Sequence, residues 1–74
     1  MDIVINGVYS NGKRGILRVE RKVLGIGREY IVNDNQQDKN GLKYVVVKGE
    51  EIGLCFRTTL GIFSDWARER IIEI

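Results

Sequence analysis

The side chains in this chain best suited to chemistry are basic, and they crowd into one stretch: Lys13, Arg14, Arg18, Arg21, Lys22 and Arg28. Arg and Lys displace condensed counterions from phosphates, so a hairpin carrying these residues along one edge is suited to contacting a phosphate backbone. Tyr9 and Tyr30, if exposed, supply faces for base stacking. A plainer account competes with this one. Arg18 and Lys22 solvate an outer strand face with Glu20 between them, and Glu20 and Glu29 dilute the potential on which steering depends. The plainer account is the favoured one.

Arg21 stands apart from its neighbours. In an alternating strand it falls on the face of Leu17, Val19 and Val23, where a charge is costly unless it is paired or lies at an edge. In an oligomer such an arginine can point into a shared pocket and grip a phosphate or a partner carboxylate. A bulge near Arg21 that returns it to solvent is the duller explanation, and the sequence favours it. A second candidate surface combines Trp66, Phe63, Tyr44 and Arg57, residue types enriched in interface hot spots. Its rival is a purely structural role, in which Phe63 and Trp66 anchor a short helix to the sheet.

Other chemistries lack their residues. The chain has no His, which removes the commonest general base and the commonest transition-metal ligand. With one Cys and no His, no structural zinc site can be assembled. Gly25-x-Gly27 lacks the third glycine of a dinucleotide fingerprint. Gly12-Lys13-Arg14-Gly15 lacks P-loop spacing, and Asp34, Asp38 and Asn40 do not follow the order of an EF-hand loop. Glu50-Glu51 reads as a solvated turn, and Asp65 with Glu69 as a like-charge i, i+4 pair near a helix end, offset by Arg68. Glycoside hydrolysis by such carboxylates needs a deep cleft that a domain of this size rarely has. The expectation is a protein without catalysis, metal or cofactor.

Size and composition set the frame for these residues. A 74-residue chain with 43% hydrophobic and 30% charged residues has the make-up of one small folded domain spanning residues 1–74. Its core must be modest, and oligomerisation is a common remedy in such cases. The formal charge of +2 is a weak bias compared with that of a dedicated nucleic-acid binder. Cys55 has no partner for an intramolecular disulfide, and on the face opposite Ile52, Leu54 and Phe56 it reads as a small packing residue. Met1-Asp2-Ile3 lacks the charged and apolar regions of a signal peptide, and no apolar run approaches a membrane span. A cytoplasmic location without membrane contact is expected.

Turn signals place the elements. Asn6-Gly7, Asn11-Gly12 and Asn40-Gly41 tolerate the positive φ that tight turns demand, and they sit among runs rich in Val, Ile and Tyr with no Pro. Strands are predicted at Ile3–Ile5, Val8–Ser10, Ile16–Leu24, Arg28–Asn33, Leu42–Lys48 and Glu51–Arg57, with Leu42–Lys48 central because both its faces are apolar. Gly25 and Gly27 mark a bend, Asp34–Gly41 a polar loop and Gly49-Glu50 a hairpin tip. After Thr58 the period changes. Leu60, Phe63 and Ala67, with Trp66 beside them, recur at helical steps, Thr58 or Thr59 serves as cap, and Gly61 limits the helix to two or three turns. Ile71–Ile74 returns to strand character and is expected beside the first strand.

The fold class predicted is mostly β: a small SH3-like barrel of five to six short strands with one short helix near the C-terminus. Tyr9 with the Asn11-Gly12-Lys13 turn, Arg18-Val19, Tyr44-Val45-Val46, Cys55 and Phe63-x-x-Trp66-Ala67 resemble the small SH3-like proteins encoded by phages and mobile elements. The resemblance implies a compact, non-enzymatic accessory protein and no particular ligand. Two mechanisms fit it: occluding a host protein, or sequestering a small phosphorylated signal between subunits as a counter-defence measure. A nucleic-acid-binding module using the basic strand face is the alternative. The residues expected to contact a ligand or partner are Tyr9, Lys13, Arg14, Arg18, Arg21, Arg28, Tyr30, Tyr44, Arg57 and Trp66.

Overall fold

The computed structural model describes residues 1–31 and 40–71. Five antiparallel strands, β1 (Val8–Ser10), β2 (Glu20–Gly27), β3 (Gly41–Lys48), β4 (Cys55–Thr59) and β5 (Glu69–Ile71), form one sheet in the order β4-β3-β2-β1-β5. The sheet is not closed between β4 and β5 among the described residues. One helix, α1 (Leu60–Trp66), precedes β5, and single 3₁₀ turns occupy Gly15–Leu17 and Arg28–Tyr30. None of the helices described is long and apolar enough to cross a membrane.

As the apolar pattern of Leu42–Lys48 predicts, β3 is an inner strand, flanked by β2 and β4. Its inward residues Leu42, Tyr44 and Val46 are buried, and with Tyr9, Val23, Phe63 and Ala67 they make the core. The Tyr9 ring is fully buried, but its hydroxyl is not wasted: it accepts from Val4 N at 2.8 Å and donates to Asp2 O at 3.1 Å. A polar tip inside a small core is affordable only with such partners.

The predicted bend lies within β2, where the register with β3 shifts between Val23 and Gly25. A bulge there curls the strand. Tyr30 packs on the bend, so a Cβ at Gly25 would sit 2.6 Å from its ring. α1 starts at Thr59, whose hydroxyl accepts from Ile62 N at 2.9 Å, and it ends where Ala67 turns extended. Only Phe63 of the helix is buried, and its ring ties α1 to the sheet through Tyr9 and Tyr44, with Trp66 of the same helix packed against it.

Several predicted boundaries are corrected. Ile3–Ile5 is not a strand; the chain turns at Asn6 (φ 69°), with Asn6 N donating to Val23 O and Gly7 N to Val4 O. The strand expected from Ile16 begins only at Glu20, because Gly15 (φ 66°) turns Gly15–Leu17 into a 3₁₀ segment. Arg28–Tyr30 is a 3₁₀ turn rather than the start of a strand, and Val32 and Asn33 lie outside the described residues. The Glu51–Arg57 strand is shortened to Cys55–Thr59. Its first part is a turn closed by Ile52 N to Gly49 O and Leu54 N to Glu51 O, which leaves Ile52 and Leu54 exposed. Cys55 is exposed on an edge strand and does not fill space in the core. Ile71 pairs with Val8 of β1 and not with the Ile3–Ile5 segment expected as the first strand, and residues 72–74 and 34–39 lie outside the described residues.

Candidate functional site

Strand register places Arg21 between Tyr9 on β1 and Val46 on β3, so its side chain rises from the face of the sheet that these buried residues share. A register shift does occur between Glu20 and Arg21, as the duller account supposed, but it does not return the side chain to solvent. Instead the guanidinium is clasped by two aromatic rings. Its central carbon lies 4.0 Å from the Trp66 centroid and 4.6 Å from the Tyr44 centroid. Each such contact contributes about 0.5–2 kcal/mol, more when water is excluded. That attraction explains how a cation is tolerated on a core face without an ion pair.

The clasp leaves one group unsatisfied. Arg21 Nε is buried and has no hydrogen-bond partner. An unpaired buried donor costs about 1–3 kcal/mol, and such a group marks a strained or functional position. Arg21 also lines a cavity of about 250 Å³, together with Ile16, Leu17, Val19, Val46 and the Gly49-Glu50-Glu51 turn. Phe63 of α1 packs on the same face, against Tyr9 and Tyr44. Neither Glu50 nor Glu51 forms an ion pair with Arg21, since the only ion pairs among the described residues are those of Arg18. Among the described residues Arg21, Glu50 and Glu51 line the mouth without an ion pair between them, and Arg18 and Lys48 lie beside its Ile16, Gly49 and Glu50 edge. Two apolar residues of the lining are open to solvent: Ile16 is 96% exposed and Leu17 63%.

The other basic residues do not gather around Arg21. Arg18 is committed to the scaffold: Nε donates to Glu20 at 2.6 Å, and Nη1 donates to Glu69 at 3.0 Å and to Lys13 O. These carboxylates, Glu20 first, raise its already high pKa. Lys13 and Arg14 are exposed on the loop before β2, ordered by Asn11, whose Oδ1 accepts from Lys13 N and Val19 N. Arg28 follows the far end of β2, roughly 20 Å away at about 3.3 Å per strand residue. Lys22 is half-buried between them. The basic stretch is thus divided between the two ends of a strand.

The aromatic candidates separate in a similar way. Tyr9 is buried and offers no stacking face; Tyr30 is half-buried against Gly25 and Gly41. Arg57 pairs with Lys43, one position off the Tyr44–Phe56 pair, and alternation sends it to the opposite face of the sheet from Tyr44. Only Tyr44, Trp66 and Arg21 come together. Glu50 and Glu51, read from sequence as a solvated turn, are the missed members of the mouth, and no local signal connects them to Arg21. Asp65 and Glu69 are not a helical pair, because α1 stops at Trp66.

Glu69 instead lies on β5, where it accepts from Ser10 Oγ at 2.6 Å and from Arg18 Nη1 at 3.0 Å. The Ser10 bond first, and Arg18 second, hold its carboxyl below the usual glutamate range. A depressed folded pKa contributes stability that is present above the ordinary glutamate pKa and lost as pH falls through the lower folded value. Wild type is therefore expected to exceed Glu69→Gln in melting temperature at neutral pH, with the gap closing below the ordinary glutamate range. A gap independent of pH would refute the assignment.

Compared with protein-family models, with curated proteins and with solved structures, the chain shows no match.

Proposed function

We propose that this chain is a non-enzymatic binding protein whose ligand-contacting group is Arg21, and that it sequesters a small phosphorylated molecule. The observation that carries this reading is the arginine clasped by Tyr44 and Trp66 with its Nε unpaired, at the floor of a cavity. A guanidinium held over two aromatic rings is oriented before any ligand arrives, so little rotamer entropy remains to be lost on binding. Its planar fork matches a phosphate or carboxylate edge. The cavity volume is near the lower end for ligand pockets, which limits the occupant to a small group.

Occlusion of a host protein is the second mechanism, and the exposed apolar residues Ile16, Leu17, Ile52 and Leu54 favour it. The nucleic-acid alternative has less support, because the basic residues it needs are spread over both ends of β2. The wider proposal is an SH3-like barrel acting in the cytoplasm, a host cytoplasm if the protein is phage-encoded. Five strands with one short helix before the last support the first point, and an exposed free thiol fits a reducing compartment.

Calorimetric titration with inorganic phosphate and a nucleoside monophosphate tests the ligand. Arg21→Lys keeps the charge but loses the stacked fork, and is expected to weaken binding by about tenfold or more. Binding that survives the substitution unchanged, or no binding of any phosphorylated compound by wild type, would end the sequestration reading. Protection of phage in a challenge assay tests the counter-defence role separately.

A further inference from the structure

The mouth around Arg21 has a property that a ligand pocket does not need: it is complementary to itself. It carries a cation, Arg21, and two carboxylates, Glu50 and Glu51, with no ion pair joining them. Around them lie Ile16 and Leu17, exposed by 96% and 63%. A two-fold axis maps a surface patch onto itself, so each charge meets what lies across the axis on the other copy. Charges of opposite sign in one patch then face each other twice, and exposed apolar residues meet exposed apolar residues. A single-signed mouth would repel its own copy.

We propose that this mouth is the interface of a two-fold homodimer, in which the Glu50-Glu51 turn of each copy faces Arg21 of the other. The chain's size supplies a second reason. Among the described residues the largest fully buried side chains are Tyr9, Phe63, Leu42, Val23 and Ser10, and a core of that size gains from a shared apolar surface. The inference does not rest on the phosphate reading; it uses only the mouth's own charges and rim. The two are connected by competition, because a ligand at Arg21 has to displace the second copy's turn.

Sedimentation equilibrium of the intact chain over a dilution series, at low and high salt, tests the proposal. Wild type is expected to be a dimer that loosens as salt rises. Leu17→Glu alters an exposed rim residue outside the core, and Glu50→Arg/Glu51→Arg alters an exposed turn. Both are expected to weaken the dimer by about tenfold or more while the circular dichroism spectrum stays native. Mixing the double variant with Arg21→Glu restores opposite charges across the axis, and a heterodimer is expected where each variant alone is monomeric. A wild-type monomer at every concentration would overturn the proposal, as would a dimer indifferent to both Leu17→Glu and Glu50→Arg/Glu51→Arg. If Arg21→Glu does not fold, those two variants decide the matter without it.

Discussion

Phe63→Ala is expected to remove a large share of the chain's stability. Phe63 is fully buried, and its ring lies 5.7 Å from Tyr9, 5.5 Å from Tyr44 and 5.4 Å from Trp66. Truncating such a residue costs about 3–5 kcal/mol, from lost burial and from the cavity that remains. Against this, a chain of this length has a total stability of only about 4–11 kcal/mol. The loss also spreads beyond the ring itself. α1 has seven residues, too few to hold a helix in water without packing, and Phe63 is its only buried side chain. Once α1 loosens, Trp66 leaves the Arg21 clasp, so the Arg21 site disappears with the helix. Urea unfolding followed by Trp fluorescence and far-UV dichroism measures this. A loss below about 1 kcal/mol would show that α1 is held by something other than Phe63.

Gly41→Ala comes second, for a different reason. Gly41 opens β3 with an ordinary negative φ, so alanine fits the backbone conformation there. The obstacle is space. A Cβ would lie 2.6 Å from Ile31 N and closer still to the Tyr30 carbonyl, and these are backbone atoms that cannot rotate away. We expect a loss of roughly 2–4 kcal/mol, at the upper end of overpacking effects. Gly15→Ala is the useful comparison. Gly15 has φ 66° with nothing within 4 Å of its Cβ position, so it costs only the conformational penalty of about 1–2 kcal/mol. Midpoints of urea unfolding with unchanged slopes rank the two. Equal losses would mean that the Tyr30–Ile31 segment yields easily.

The strength of each local signal decided how far the sequence could be read. The inner strand Leu42–Lys48 and the capped helix after Thr59 were legible, because an apolar run and a change of period act within a few residues. Two 3₁₀ turns were not. At Gly15–Leu17 the positive φ of Gly15 stops the strand that Ile16 and Leu17 suggest, and at Arg28–Tyr30 the packing of Tyr30 against Gly25 and Gly41 overrides the β propensity of its ring. For Arg21 the sequence showed the anomaly but not its resolution. Alternation placed the charge on the apolar face, while the clasp depends on Tyr44 and Trp66 arriving from β3 and α1. Glu50 and Glu51 were beyond reach for the same reason: only the β3–β4 turn brings them to Arg21.

The position of β5 has a kinetic consequence. Its partner is β1, so Ile71 pairs with Val8 across nearly the whole chain, whereas β2, β3 and β4 each pair with a sequence neighbour. Closing a loop of that length costs about 3–4 kcal/mol of chain entropy, repaid by three residue pairs and the Ser10–Glu69 bond. Assembly therefore runs outward from the β2–β3–β4 meander, and the C-terminal strand joins last. Amide exchange resolved by residue reads this order: the Glu69–Ile71 amides should open well before those of Leu42–Val46, and the reverse would place the nucleus at the chain ends.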